Sequence, residues 1–311
     1  MPRQARQTRE PFASAPLVAL VVRTLGERDP SLLPPETRAP DYLADAKTDA
    51  KAKPDIVDYA YARGGAGPLL AVGTALCQVR PVPALQVLLN SADTGVLADK
   101  WMRLERYHHA THRVVVDGQT SGVWSCRRHW RGAQAPSTAE NVLICGIMAG
   151  LLELFGCRDV AGTIGGIGLP VAKSRGPVFA TGDTGSWVLR WSVGAGKSPA
   201  GGPAGDASGI VDRLSHLLAA DTGRVWRLEE AAAALARSPR SLQRDVKLAG
   251  HTFSSVVRGV RASEAARLLQ AGDMALSDIG YWCGYADQAH FQRDFRRAVN
   301  MTPAEYRSAN A

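Results

Sequence analysis

Long apolar runs are missing from this 311-residue chain. The stretch Leu17–Val22 is followed at once by Arg23, too short for the core of a secretory leader, and no stretch approaches the ~20 apolar residues of a membrane span. The sequence therefore predicts no membrane partner and a cytoplasmic location. Cysteine is scarce. Cys77, Cys126, Cys145, Cys157 and Cys283 show no CxxC spacing, which argues against a disulfide scaffold and favours reduced, buried thiols. Charge of one sign is not concentrated either. Net charge is +8, but residues 212–311 hold 14 Lys and Arg against 11 Asp and Glu, and the remainder 23 against 18. Charge alone is thus weak support for a polyanionic partner. What is present is a 45% hydrophobic composition and enough length for two domains with cores of their own.

The most informative stretch lies between Val225 and Arg307. Leu242-Gln243-Arg244-Asp245-Val246 is echoed by Phe291-Gln292-Arg293-Asp294-Phe295. In each, the apolar residues at i and i+4 share one helix face and the Gln-Arg pair projects off it. Leu228, Ala231, Ala232 and Leu235 trace a first amphipathic helix. Ser238-Pro239 is a cap and first-turn pair that opens the next helix, and Gly250 can stop that helix. Phe253 through Leu269 gives a longer apolar stripe of roughly 18 residues, about 27 Å at 1.5 Å per residue. Beyond it, Ser277 is expected to cap a short helix carrying Ile279 and Cys283. Gly284 supplies a turn, Asp287 caps a second outward helix, and Thr302-Pro303 starts a last one through Tyr306. Two helix-turn-helix units joined by a linker helix follow from this order. Grooves on one face of DNA recur about every 34 Å, so one chain could read two of them.

These residues resemble the DNA-binding domain of the AraC/XylS transcription regulators. The match runs through Leu228-Glu229-Glu230, Ser238–Arg244, Arg261, Ala265, Leu268, Leu269, Ile279, Gly284-Tyr285, Phe291, Arg293, Phe295, Thr302-Pro303 and Tyr306-Arg307. It covers about the last third of the chain. Asn300 stands where the family usually has glycine, Arg227 where a cap residue is common, and Asp245 and Asp294 place carboxylates just past the Gln-Arg pairs. The resemblance implies double-stranded DNA as partner, RNA polymerase as a second partner, transcriptional activation, and no catalytic residue, metal or cofactor. The residues expected to meet DNA are Arg240, Ser241, Gln243 and Arg244 on one helix, and Gln288, His290, Gln292 and Arg293 on the other.

The preceding chain is read as a tail over 1–16, an α+β domain over 17–193 and a Gly/Pro/Ala/Ser-rich linker over 194–209, ahead of the all-α domain at 210–311. Leu17–Leu25 reads as a short strand or helix, and a helix is expected near Tyr42–Ala50. Leu69–Leu76, Leu85–Leu89 and Val96–Tyr107 have helical patterns. Val114–Val116 and Val123–Ser125 resemble a hairpin turning at Asp117-Gly118. Asn141–Phe155 is apolar almost all round, as a buried helix is, and Val160–Ile167 and Trp187–Val193 read as strands. This domain bears a faint resemblance to the effector-binding or dimerisation domains of the same family, which implies a small-molecule effector of unknown identity, a homodimer, or both.

Several motifs have simpler readings. Gly194-Ala195-Gly196-Lys197-Ser198 imitates a phosphate loop, but Trp191 stands where its first glycine belongs and Pro199 follows it. Gly162–Gly168 lacks GxGxxG order. His108, His109 and His112 fall at helical spacing without an acidic or cysteine partner, so a metal site is the weaker reading. Trp124, Arg127, Arg128, His129 and Trp130 form a basic aromatic cluster, read either as a solvated strand end or as the rim of an effector pocket for an anion. Two alternatives to an effector-controlled regulator remain. One is a DNA-modifying repair enzyme carrying such a module, for which Cys126-Arg127-Arg128-His129 has a suggestive composition in the wrong order. The other is a regulator whose first domain only dimerises or binds protein.

Overall fold

The computed structural model describes residues 12–38, 47–49, 52–78, 83–108, 112–120, 122–130, 133–171, 176–192, 209–272 and 274–309. The glycine-rich linker and its phosphate-loop lookalike lie outside these residues, apart from Gly209, as does most of the N-terminal tail. The described chain falls into two compact units, and they are not consecutive in sequence. One takes residues up to 80 and 108–194; the other takes 81–107 and 195–311.

The first unit begins with β1 (Phe12–Ser14) and α1 (Ala15–Arg28), so Leu17–Leu25 is helical. β2 (Lys47–Asp49) pairs antiparallel with β1, so residues 47–49 of the helix expected near Tyr42–Ala50 are a strand; the rest of that stretch lies outside the described residues. α2 (Ala52–Gly64) and α3 (Ala66–Thr74) follow. The chain then contributes α4 (Pro83–Leu89) and α5 (Thr94–His108), whose described residues up to 107 pack in the second unit. On return it forms a hairpin of β3 (His112–Thr120) and β4 (Val123–Trp130). The strands stay paired as far as Thr120 and Val123, beyond the Asp117-Gly118 turn the sequence suggested. Asp117 is instead an extra residue where the register shifts between Val116 and Gly118, a β-bulge. Arg127 on the facing strand donates Nε to its Oδ2 at 3.0 Å.

α6 (Thr138–Phe155) is the centre of this unit. Ser137 and Glu140 close a capping box at its start, and Gly156 ends it at φ 104°. Residues Ala139–Leu152 are buried on every face, against α2, α3 and β5 (Arg158–Ile164) among others. It alone among the described helices is long and apolar enough to cross a membrane, yet the fold buries most of it. α3 can approach α6 to backbone contact because glycines meet there: a Cβ on Gly73 would strike the Gly146 carbonyl, and one on Gly150 would strike Gly73. β5 turns through Gly165-Gly166 into β6 (Ile167–Leu169), and β7 (Ser186–Ser192) completes an antiparallel sheet in the order β3-β4-β7-β5-β6. The Gly162–Gly168 stretch is therefore a hairpin.

The second unit has two small cores on one rod. α7 (Ile210–Ala220), α8 (Leu228–Ala234), α9 (Pro239–Leu248) and the first half of α10 (Phe253–Gln270) enclose Leu214, Leu218, Ala231, Ala232, Leu242, Val246 and Val256. The second half of α10 joins α11 (Leu276–Trp282), α12 (Gln288–Val299) and α13 (Pro303–Ala309) around Leu268, Leu269, Ile279, Tyr285, Phe291 and Phe295. α10 has the 18 residues expected of the linker helix.

α4 and α5 attach to this second unit through buried polar groups. The Lys100 ammonium, 1% exposed, donates to both Asp221 oxygens at 2.8 Å, to the Val87 carbonyl at 3.0 Å and to the Asn90 carbonyl. The Arg103 guanidinium lies 5.0 Å from the Tyr281 ring centroid, and the Tyr281 hydroxyl donates to the Lys100 carbonyl at 3.2 Å. Burial pulls the Lys100 ammonium down to about 8 despite Asp221, and raises the Asp221 carboxyl despite Lys100. Both shifts have the sign of a pair whose desolvation exceeds its attraction. Residues 81–107 thus depart from the uninterrupted α+β domain read over 17–193, with Lys100 and Arg103 buried against Asp221 and Tyr281. Lys100→Met, which strands a buried carboxylate, is expected to cost the second unit about 3 kcal/mol. Lys100→Met combined with Asp221→Leu should recover most of it, read by urea denaturation with hydrogen exchange at the α7 and α11 amides.

Candidate nucleic-acid interface

Each outward helix is set by local chemistry. Before α9 the chain turns through Ala236 in the left-handed region, φ 53°. Ser238 then accepts from the Ser241 amide at 3.1 Å and Pro239 occupies the first turn. Leu242 and Val246 are buried, which fixes the helix's rotation. Arg240, Gln243 and Arg244 are exposed. Ser241 is half-buried, and its hydroxyl accepts from the Ser238 hydroxyl at 2.9 Å, so it belongs partly to the cap.

α12 repeats this arrangement. Gly284 has φ 78°, and a Cβ there would strike the Thr222 carbonyl. Asp287 accepts from the His290 amide at 2.7 Å. Phe291 and Phe295 are fully buried, and Gln292 and Arg293 are exposed at the same offsets as Gln243 and Arg244. Gln288 is half-buried. His290 is bound on both sides: Nδ1 accepts from the Ala286 amide at 3.3 Å, Nε2 lies 3.1 Å from Asp294 Oδ2, and the ring meets Tyr285 edge-on. Since Nδ1 accepts, the proton sits on Nε2 and points at Asp294. His290 thus braces the start of α12.

The departures from the family pattern acquire physical reasons here. Asn300 ends α12 at φ 60°, the left-handed position that glycine usually fills and asparagine tolerates. Arg227 precedes α8 without a side-chain cap bond. Ser277 does not cap α11; the helix begins one residue earlier, after Ala275, again without a side-chain cap. Thr302 and Glu305 do close a reciprocal cap on α13, at 3.2 and 2.7 Å, and these bonds hold the Glu305 carboxyl below its usual range. Arg237, in the turn before α9, is an exposed cation the sequence reading passed over. It lies outside the helical period, and only the turn brings it to Asp245, 2.9 Å away.

The basic aromatic cluster of β4 does not converge. Strand alternation buries Trp124 and Arg128 on one face and turns Arg127 and His129 to the other, while Trp130 is 42% exposed at the strand end. His108 ends α5 and His112 begins β3, so they do not share a helix face. His112 Nε2 lies 3.2 Å from the Gln134 carbonyl.

A protein family described as "Helix-turn-helix domain" matches residues 231–309. The chain is 30% identical over 94 residues to the urease operon transcriptional activator of Escherichia coli, which covers 30% of this chain and 32% of that one. It is 35% identical over 101 residues to the ornithine utilization regulator of Pseudomonas aeruginosa, covering 32% and 30%. It thus matches about a third of the length of these curated relatives. A solved structure of a transcriptional regulator from Chromobacterium violaceum, titled as AraC-type DNA-binding domain-containing, is 27% identical over 33% of this chain and 92% of that one, with TM-score 0.32. Residues 231–309 form a helix-turn-helix domain.

Proposed function

We propose that the protein is a sequence-specific DNA-binding transcription regulator, acting in the cytoplasm, whose activity is set by a small molecule held in the first unit. The carrying observation is the repeat: Gln243-Arg244 and Gln292-Arg293 stand exposed at identical offsets on two helices whose opposite faces fill separate cores. Their separation is set by α10, about 27 Å long, near the spacing of successive grooves. Arginine pairs with guanine and glutamine with adenine through two hydrogen bonds each, while Arg240 and Gln288 flank these pairs. The names of the relatives, an operon activator and a utilization regulator, support transcriptional control, and activation through RNA polymerase is the sign we favour.

The repair-enzyme alternative places its reactive thiol at Cys126; of the five cysteines only Cys77, outside that motif, is exposed. Cys126 is buried in the sheet, and burial pushes the Cys145 and Cys283 thiols well up and that of Cys157 to about 11, the opposite of thiolate activation.

For the effector we favour a cleft of about 730 Å³ lined in part by α3 and α6, within the usual range for small ligands. Leu32, Pro68, Leu70 and Val160 give it apolar walls, and the arginines Arg28 and Arg63 line it together with the carboxylates Asp29 and Glu153. Arg63 is held in place, its Nε donating to the Ser31 carbonyl at 2.9 Å and its guanidinium 4.9 Å from the Tyr59 ring centroid. Apolar walls and a fixed guanidinium suit a small organic anion with an apolar body. A homodimer through this unit is compatible with that role.

Duplexes selected from a random pool by the intact protein provide the first test. Arg244→Ala and Arg293→Ala are each expected to weaken binding to the selected duplex by about 1–3 kcal/mol, and unchanged affinity for both would remove the assigned roles. The cleft is tested by thermal shift against small carboxylates. A true ligand at 100 times its Kd should stabilise by about 2.7 kcal/mol. Gly67→Phe should abolish that gain without unfolding the protein, because a Cβ at Gly67 meets nothing within 4 Å.

A further inference from the structure

Both outward helices carry a carboxylate at the same place, and each carboxylate faces basic side chains of its own neighbourhood: Arg244 and Arg237 at one, His290 and Arg297 at the other. Asp245 and Asp294 each follow a Gln-Arg pair and precede a buried apolar residue. Asp245 Oδ1 accepts from Arg244 Nε at 3.2 Å and Nη2 at 3.1 Å, and its Oδ2 accepts from Arg237 Nη1 at 2.9 Å. Asp294 Oδ2 faces His290 Nε2 at 3.1 Å, and its Oδ1 lies 3.9 Å from Arg297 Nη1. Each carboxylate side chain is mostly buried, at 20% and 13% exposure, while Arg244 and Arg297 are 68% and 74% exposed. The anion is thus fixed and the cation reaches outward from it.

Holding the fold together is a poor explanation for this repeat. Ion pairs with so exposed a cation contribute little to stability, and the helices are already seated by Leu242, Val246, Phe291 and Phe295. The effect on a DNA surface is different. Non-specific affinity comes from cations neutralising phosphates, with log K falling by about 0.9 per log unit of salt for each phosphate neutralised. Arg244, already paired with Asp245 at 3.1 Å, gains less from a phosphate; Arg297, 3.9 Å from Asp294, lies in the field of a carboxylate that repels one. Base edges, by contrast, are read by geometry. Arg244 bound through Nε and Nη2 keeps its Nη1 side free and presents it in one orientation.

We propose that Asp245 and Asp294 are specificity-determining residues: they orient side chains of the two reading helices and suppress their attraction to phosphates, so that the protein discriminates by base contacts rather than by charge. This rests on the DNA-binding reading above. It also fits the weak charge of the helix-turn-helix region, which holds only 14 basic against 11 acidic residues over 212–311.

The test uses the full chain and two duplexes of equal length, one selected from a random pool by the wild type and one of scrambled sequence. Binding is followed by fluorescence anisotropy across a salt series. Asp245→Asn and Asp294→Asn keep size and remove charge. Each is expected to tighten binding to the scrambled duplex about three- to tenfold and to steepen its salt dependence by about one phosphate's worth. The ratio of selected to scrambled affinity should fall by at least tenfold in the double variant. An unchanged ratio, an equal gain on both duplexes, or a shifted melting temperature with no change in salt slope would each overturn the inference. Failure of the wild type to select any duplex would instead sink the DNA-binding reading, and this inference with it.

Discussion

The second unit depends on a seating constraint. A short helix can show a fixed set of side chains to a partner only if its other face is locked against rotation. Leu242 with Val246 does this for α9, and Phe291 with Phe295 does it for α12, each pair at i and i+4 and each fully buried. Neither helix could seat itself alone, since about three turns in isolation are marginal in water. Each borrows half of α10, which is why one long helix carries two cores. The caps at Ser238 and Asp287 then fix where each helix starts, and so which residues fall in its outward first turns.

This part of the architecture was legible because it is local. Apolar spacing, Ser-Pro and Asp caps and the glycine at 284 all act within a few residues, and they placed α8 through α13 nearly as observed. The reading failed where two local signals compete. Asp117-Gly118 is good turn chemistry, but β3 continues through it and absorbs Asp117 as a bulge, because Gly118, Gln119 and Thr120 still find partners on β4. Ser277 looks like a cap, yet the chain enters α11 at Leu276. The β4 cluster was read either as a solvated strand end or as a pocket rim; the strand sends its neighbouring residues to opposite faces, which adjacency in sequence does not reveal.

Long-range partnerships were not legible at all. Lys100 and Arg103 sit in an amphipathic pattern that reads as an ordinary surface helix. Nothing near them in sequence announces Asp221 or Tyr281, and composition cannot tell a buried ammonium from a solvated one. The same limit hid the α3–α6 seam. Gly73, Gly146 and Gly150 look like helix-weakening residues until the two helices are seen to need their missing side chains. Asp245 and Asp294 were visible as departures, but their meaning required knowing which cations the turns bring to them.

The partners of the α5 clasp are far apart in the chain: 121 residues separate Lys100 from Asp221, and 178 separate Arg103 from Tyr281. At about 5–20 residues per second of synthesis, a newly made α5 waits on the order of ten to thirty seconds before its acidic and aromatic partners exist. During that interval its two cations are solvated and its apolar face has nothing to rest on. The nascent chain therefore cannot finish the second unit by closing its last third upon itself; it must reach back across more than a hundred residues already made.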